Sequence, residues 1–140
     1  MTEQVPALAE HEDRWILPFR GLRVTQILVD FAFGLRLDDV GEVRIGGKAT
    51  LGWVAAGVRP ETITLDPERQ DVVAGLAVFN TDVLSAVAFK SGSLRIVFSS
   101  GHVLRAEPDP QYEAWTTSGP GGMSIVSLPG GGLAVWSPRP

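Results

Sequence analysis

The side chains able to do chemistry are few and scattered. Histidine occurs twice: His11 lies in a polar N-terminal stretch, and His102 follows a Ser-Gly turn at the start of a strand-like run. Nucleophilic catalysis needs a base held beside the nucleophile. Only these two histidines could serve as that base, and no serine stands in a Gly-x-Ser-x-Gly elbow. The chain has no cysteine, which excludes disulfide frameworks, thiolate zinc sites, iron–sulfur clusters and cysteine nucleophiles. Two carboxylate groups stand out, Asp38, Asp39 and Glu42 in one turn and Glu107, Asp109 and Glu113 in the segment EPDPQYE. Neither has the ligand spacing of a calcium loop, so both read as solvated surface. No metal, no cofactor and no catalytic residue is expected. Were the protein to hold a small molecule, His102, Asp109 and Glu113 are the polar groups its pocket would use.

The glycine-rich segments SGPGGMS (118–124) and PGGG (129–132) do not change this reading. A phosphate-binding loop opens a helix, whereas both segments lie between strand-like runs and carry the prolines of hairpin turns. The aromatic residues are less ordinary, with four tryptophans (Trp15, Trp53, Trp115 and Trp136) against the single tyrosine Tyr112. Most belong in a core. Trp115 and Trp136 end strand-like segments, where an indole buries its rings and keeps its N–H at a wet rim, a geometry shared by binding surfaces. Tyr112, Glu113, Trp115 and Trp136 are therefore the candidate partner-docking residues.

The elements that must position these residues are mostly strands. Leu22–Val29 is rich in β-branched residues, and Phe31, Phe33, Leu35 and Leu37 alternate with small or polar residues, the pattern of a half-buried strand. Turns at 38–41 and 46–47 bracket a short strand at 42–45, and 48–54 is a fourth. Period two returns over 83–89, 94–99 and 102–106 with turns between, and YEAWTT, MSIVSLP and LAVWS add three more strands. Between the two meanders Asp66-Pro67 has the form of a helix start. Val72, Val73, Leu76 and Phe79 then follow at helical spacing, Asn80 is a stop, and Gly75 would let the helix sit close on a sheet. The predicted fold is α+β: mostly antiparallel, two meanders and about ten short strands, with one helix packed on a curved sheet. A partly open β-barrel is the alternative. LRLDDVGEVRI (35–45) echoes LRIVFSSGHVLRA (94–106); a duplication and two hairpins of similar chemistry account for the echo equally well.

At 140 residues and 44% hydrophobic content, the chain fits a single domain able to bury its own core. Residues 1–13 read as a flexible arm and 14–140 as one β-rich domain. The net charge of −4 and the scattered basic residues leave no field for phosphate backbones, so nucleic acid is not an expected partner. No run approaches the roughly 20 apolar residues of a membrane span, and MTEQVPALAE lacks the marks of a signal peptide. A cytoplasmic protein without membrane contact is expected.

YEAW (112–115) followed by VSLPGGGLAVW (126–136), with GSLRIVFSSGHVLRAEPDPQYEAW and GLRVTQILVDFAFGLRL upstream, resembles an actinobacterial family, domain-of-unknown-function family 6188. The resemblance implies a compact, mostly β domain and brings no activity, cofactor or site residue with it. Two functions are compatible with the chain. One is a protein-interaction module, immunity-like in its small size and acidic charge, with another protein as partner. The other is a small-molecule-binding protein or enzyme with a pocket between sheet and helix. Exposed sheet edges also make a homodimer an expectation.

Overall fold

The computed structural model describes residues 7–53 and 61–137. Thirteen strands are formed there: β1 (Ala9–Glu10), β2 (Arg14–Ile16), β3 (Val24–Val29), β4 (Phe33–Leu37), β5 (Gly41–Ile45), β6 (Ala49–Trp53), β7 (Glu61–Leu65), β8 (Val83–Phe89), β9 (Leu94–Phe98), β10 (His102–Ala106), β11 (Trp115–Gly119), β12 (Met123–Ser127) and β13 (Leu133–Trp136). They make two antiparallel sheets instead of one. A seven-stranded sheet has the order β1-β2-β8-β9-β10-β6-β7, and a six-stranded sheet the order β13-β12-β11-β5-β4-β3. Among the described residues both sheets keep open edges and no closed barrel is formed. One hydrophobic cluster takes side chains from both, including Leu35, Val43 and Ile125 from the smaller sheet and Ile96, Leu104 and Leu51 from the larger. Alternation explains the division of faces: in β4 and β5 the odd-numbered residues are buried and Arg36, Glu42 and Arg44 lie outside.

The strands expected at 83–89 and 102–106 are formed with those bounds. Of the strand expected at 48–54, Ala49–Trp53 is formed and Val54 lies outside the described residues. β1, β2 and β7 were not anticipated. Ala9–Glu10 falls within the stretch read as an arm and pairs with Trp15 and Ile16; residues 1–6 lie outside the described residues.

The segment expected to be a helix is corrected. It holds two 3₁₀ turns, Pro67–Arg69 and Val73–Val78, so helical residues are few. Reciprocal backbone hydrogen bonds between Asp66 and Asp71, at 2.9 and 3.0 Å, close residues 66–71 into a loop, and Gln70 turns left-handed with φ 53°, which stops a right-handed helix from continuing. Of the apolar face read there only Val72 is buried; Val73, Leu76 and Phe79 are exposed, and Val78, outside that face, is buried. The close approach expected of Gly75 is present, since a Cβ on it would stand 2.5 Å from Phe33 Cζ. Phe31, read as the first inward residue of its strand, is 75% exposed. It falls in the turn before β4, where Asp30 caps the chain by accepting the Ala32 N–H at 2.7 Å.

The two meanders are structurally equivalent. Val24, Gln26, Ile27, Leu28 and Val29 of β3 pair with β4 in the register that Val83, Ser85, Ala86, Val87 and Ala88 of β8 use with β9, and both ladders shift at the same place, Val24/Gln26 and Val83/Ser85. Where the halves meet, Val24 N–H donates to Thr81 C=O and Val83 N–H to Leu22 C=O; Gly21 donates to Val83 and Asn80 to Val24. Such reciprocity is what a local two-fold through the Arg23–Asp82 bridge produces. The echo of Leu35-Arg36 with Leu94-Arg95 is two residues out of this register: Leu35 corresponds to Ile96, and Phe33 to Leu94. A shift of two keeps the same face inward, so the sequence match survives the slip.

Each half also sends a hairpin into the other's sheet. After β5 the chain crosses to place β6 beside β10, and after β10 it crosses to place β11 beside β5, with matching registers (Ala49↔Ala106 and Trp115↔Ile45). The two sheets are thus built from two exchanged units. Among the described residues no helix is long and apolar enough to cross a membrane.

Candidate functional site

The segment joining β10 to β11 carries most of the residues singled out from sequence. Asp109 organises it: its Oδ1 accepts the N–H groups of Gln111 at 2.8 Å and Tyr112 at 3.0 Å, a turn-making role that Asp fills because its side chain reaches its own following backbone. Its carbonyl accepts the Gly130 N–H at 2.8 Å, tying the segment to the β12–β13 turn. The result presents Tyr112, 66% exposed, at the edge of a cleft.

That cleft has two adjoining parts of about 390 and 370 Å³. Gly46, Gly47 and Ala114 line both, and the carboxylates Asp66, Glu68, Glu107, Asp109 and Glu113 stand around them with the single lysine Lys48. Tyr112 and Glu113 line the second part. Gly46 and Gly47 both donate backbone N–H to Ala114 C=O, at 2.9 and 3.2 Å, which holds the β5–β6 turn against the start of β11 and closes the floor. No group of three or more metal-ligating side chains is present among the described residues, so the carboxylates are spread as a negative wall and not convergent as a cage.

The other candidates lie elsewhere. Trp115 is 1% exposed and fills the core. Its Nε1–H donates to Gly92 C=O at 2.9 Å, and Ser127 Oγ–H donates to the same oxygen at 2.8 Å. One carbonyl of the β8–β9 turn thereby fastens the larger sheet to the smaller. Trp136 is 57% exposed and sits at the far end of β13 from the turn that meets Asp109, opposite Ser124. His102 opens β10, whereas Asp109 lies past its end. The His102 ring is 5.5 Å from that of Trp53, and its Nδ1 is 2.8 Å from Ser100 Oγ. The structure therefore joins Tyr112, Glu113 and Asp109, and does not bring His102, Trp115 or Trp136 to them.

Glu68, Asp66 and Lys48 share the cleft although sequence reasoning passed them over as sites. Nothing local marks them; they arrive through the Asp66–Asp71 loop and the β5–β6 turn.

The chain belongs to the family of unknown function DUF6188, whose model matches residues 15–137. Among curated proteins and among solved structures nothing matches it significantly.

Proposed function

We propose that this member of the family is a protein-interaction module that docks a basic segment of a partner protein at the acidic cleft, with Tyr112 and Glu113 as its principal contacts. The observation that supports the reading is the pairing of an exposed aromatic ring, held out by the Asp109 turn, with a concave wall of carboxylates. Tyrosine supplies contact area with little side-chain freedom to lose, and a one-signed wall favours a partner of opposite charge. An immunity-like role, in which the domain neutralises another protein, is the form of this reading that the net charge of −4 favours. The size of the cleft supports a second reading, a small-molecule site using Asp109 and Glu113, since ligand pockets occupy roughly 300–1,000 Å³.

The test uses the wild-type domain and a Tyr112→Ala, Glu113→Lys variant as baits for lysate proteins. Both changes are on exposed side chains, so the melting temperatures should agree. The interaction reading expects a basic protein held by wild type, released by added salt and absent from the variant. Equal retention by both baits, or none by either, overturns it. A metabolite that raises the melting temperature of wild type but not of Glu113→Gln would establish the second reading instead.

A further inference from the structure

β3 and β8 hold equivalent places in the two halves, yet their outer edges differ. The edge of β8 is closed by β2: Arg14, Trp15 and Ile16 pair antiparallel with Phe89, Ala88 and Val87, and Leu17 N–H donates to Ala86 C=O at 2.9 Å. Beneath this cover Ala86 and Ala88 are 2% and 0% exposed. Their equivalents on β3 are Ile27 and Val29. No strand pairs with the outer edge of β3 among the described residues. Ile27 is partly buried, Val29 is 48% exposed, and Phe31 just beyond is 75% exposed. A position that is sealed core in one half is an apolar rim in the other.

Open edges are normally guarded by lysine, proline, an inward charge or a bulge. The strand Val24-Thr25-Gln26-Ile27-Leu28-Val29 has no charge and no proline. Its bulge between Val24 and Gln26 is shared with the covered strand β8, so it belongs to the repeat and guards nothing. Val24 is already held by Thr81 and Asn80, which leaves Gln26–Val29 as the free stretch; on β8 the residues held by the β2 segment are the equivalents of Ile27, Leu28, Val29 and Asp30.

We propose that this edge is a homodimer interface, β3 of one copy adding antiparallel to β3 of a second copy about a two-fold axis. The internal equivalence supplies the geometry, because an antiparallel strand is what the same backbone takes on β8, and a two-fold makes two identical strands antiparallel. Charge selects the occupant. Each copy carries −4, so copies can meet closely only where carboxylates are absent, and Gln26–Val29 opposes no like charges when paired with itself. The pairing brings Ile27 and Val29 of both copies onto one continuous inner face. This interface is separate from the acidic cleft and does not depend on its role.

Sedimentation equilibrium over a wide micromolar range tests the proposal, with Val29→Lys and Val29→Pro as variants and Trp136→Lys, on the β13 edge, as control. Wild type and Trp136→Lys should be dimers, and both Val29 variants should be folded monomers. Amide hydrogen exchange on wild type covers the case in which a Val29 variant does not fold: protection of Ile27 and Val29 should rise with protein concentration. A wild type that stays monomeric, a dimer that persists in a folded Val29 variant, loss of the dimer only in Trp136→Lys, or exchange at β3 indifferent to concentration would each overturn it.

Discussion

β6 and β11 occupy the same place in the two halves and pair in the same register, yet they distribute bulk in opposite order. β6 reads Ala-Thr-Leu-Gly-Trp and β11 reads Trp-Thr-Thr-Ser-Gly. Ala49 and Trp115 are equivalent and both buried; Trp53 and Gly119 are equivalent, with Trp53 half-buried beside His102. The backbone ladder follows from alternation and turn length, which the halves share. Which position takes the large side chain follows from the volume left by neighbours, and there the halves differ. Gly119 is small because Phe19 and Met123 occupy the space its Cβ would need, whereas the place across from Trp115 is the Gly92 turn, whose carbonyl gives the indole N–H a partner.

The largest effect should come from removing bulk where the halves differ most. Trp115→Ala turns the β11 position into that of β6 without the neighbours that suit a small residue, and should cost about 3–5 kcal/mol in denaturant unfolding. A loss under about 1 kcal/mol, as for a surface substitution, would show that the position is not core. Gly75→Ala adds bulk instead and drives a methyl into Phe33; about 1–3 kcal/mol of destabilisation is expected from overpacking, read by the same titration. Ser127→Ala tests the junction of the sheets more gently. Gly92 C=O keeps the Trp115 donor, so about 0.5–1.5 kcal/mol should be lost, and more in a Trp115→Phe background, where the same change leaves the buried carbonyl without a donor.

The smallest effect is electrostatic and confined to one half. The Ala32 N–H and then Arg44 hold the Asp30 carboxyl below its ordinary range. Its equivalent in the second half is Phe89, with no charge. A carboxylate whose pKa is lower when folded stabilises above its unfolded pKa, and that contribution disappears as pH falls through the folded value. Asp30→Asn should therefore lower the melting temperature slightly at neutral pH and flatten its decline below the usual carboxylate range. An unchanged acid profile would place the acid sensitivity elsewhere.

Legibility from sequence followed locality. β8, β9 and β10 could be read because their turns are local and their alternation is clean. β7 could not: it is an edge strand with four of five residues exposed, so burial imposes no alternation on it. β2 is held by pairing with β8, far along the chain, and β1 by pairing with β2, and short strands carry little signal of their own. The apolar spacing at 72–79 suggested a helix because Val72, Val73, Leu76 and Phe79 fit that period, but the Asp66–Asp71 loop consumes the start a helix would need. Asp109 and Glu113 were recognisable as polar groups in a stiff segment; that Glu68 stands across from them depends on a crossing between sheets.

Composition, alternation and turn residues determined by themselves that this chain is an antiparallel β protein without thiol chemistry and with hairpins at its Gly-rich segments. These properties need only neighbours a few residues apart and the pleat of a strand. Tertiary structure alone decided that the meanders form two sheets with exchanged hairpins, that Trp115 is core while Trp136 is surface, that His102 and Asp109 stand at opposite ends of β10, and that one of two equivalent edges is covered. Each of these turns on which distant strand fills the space beside a given one, and that choice is made by the packing of the whole core.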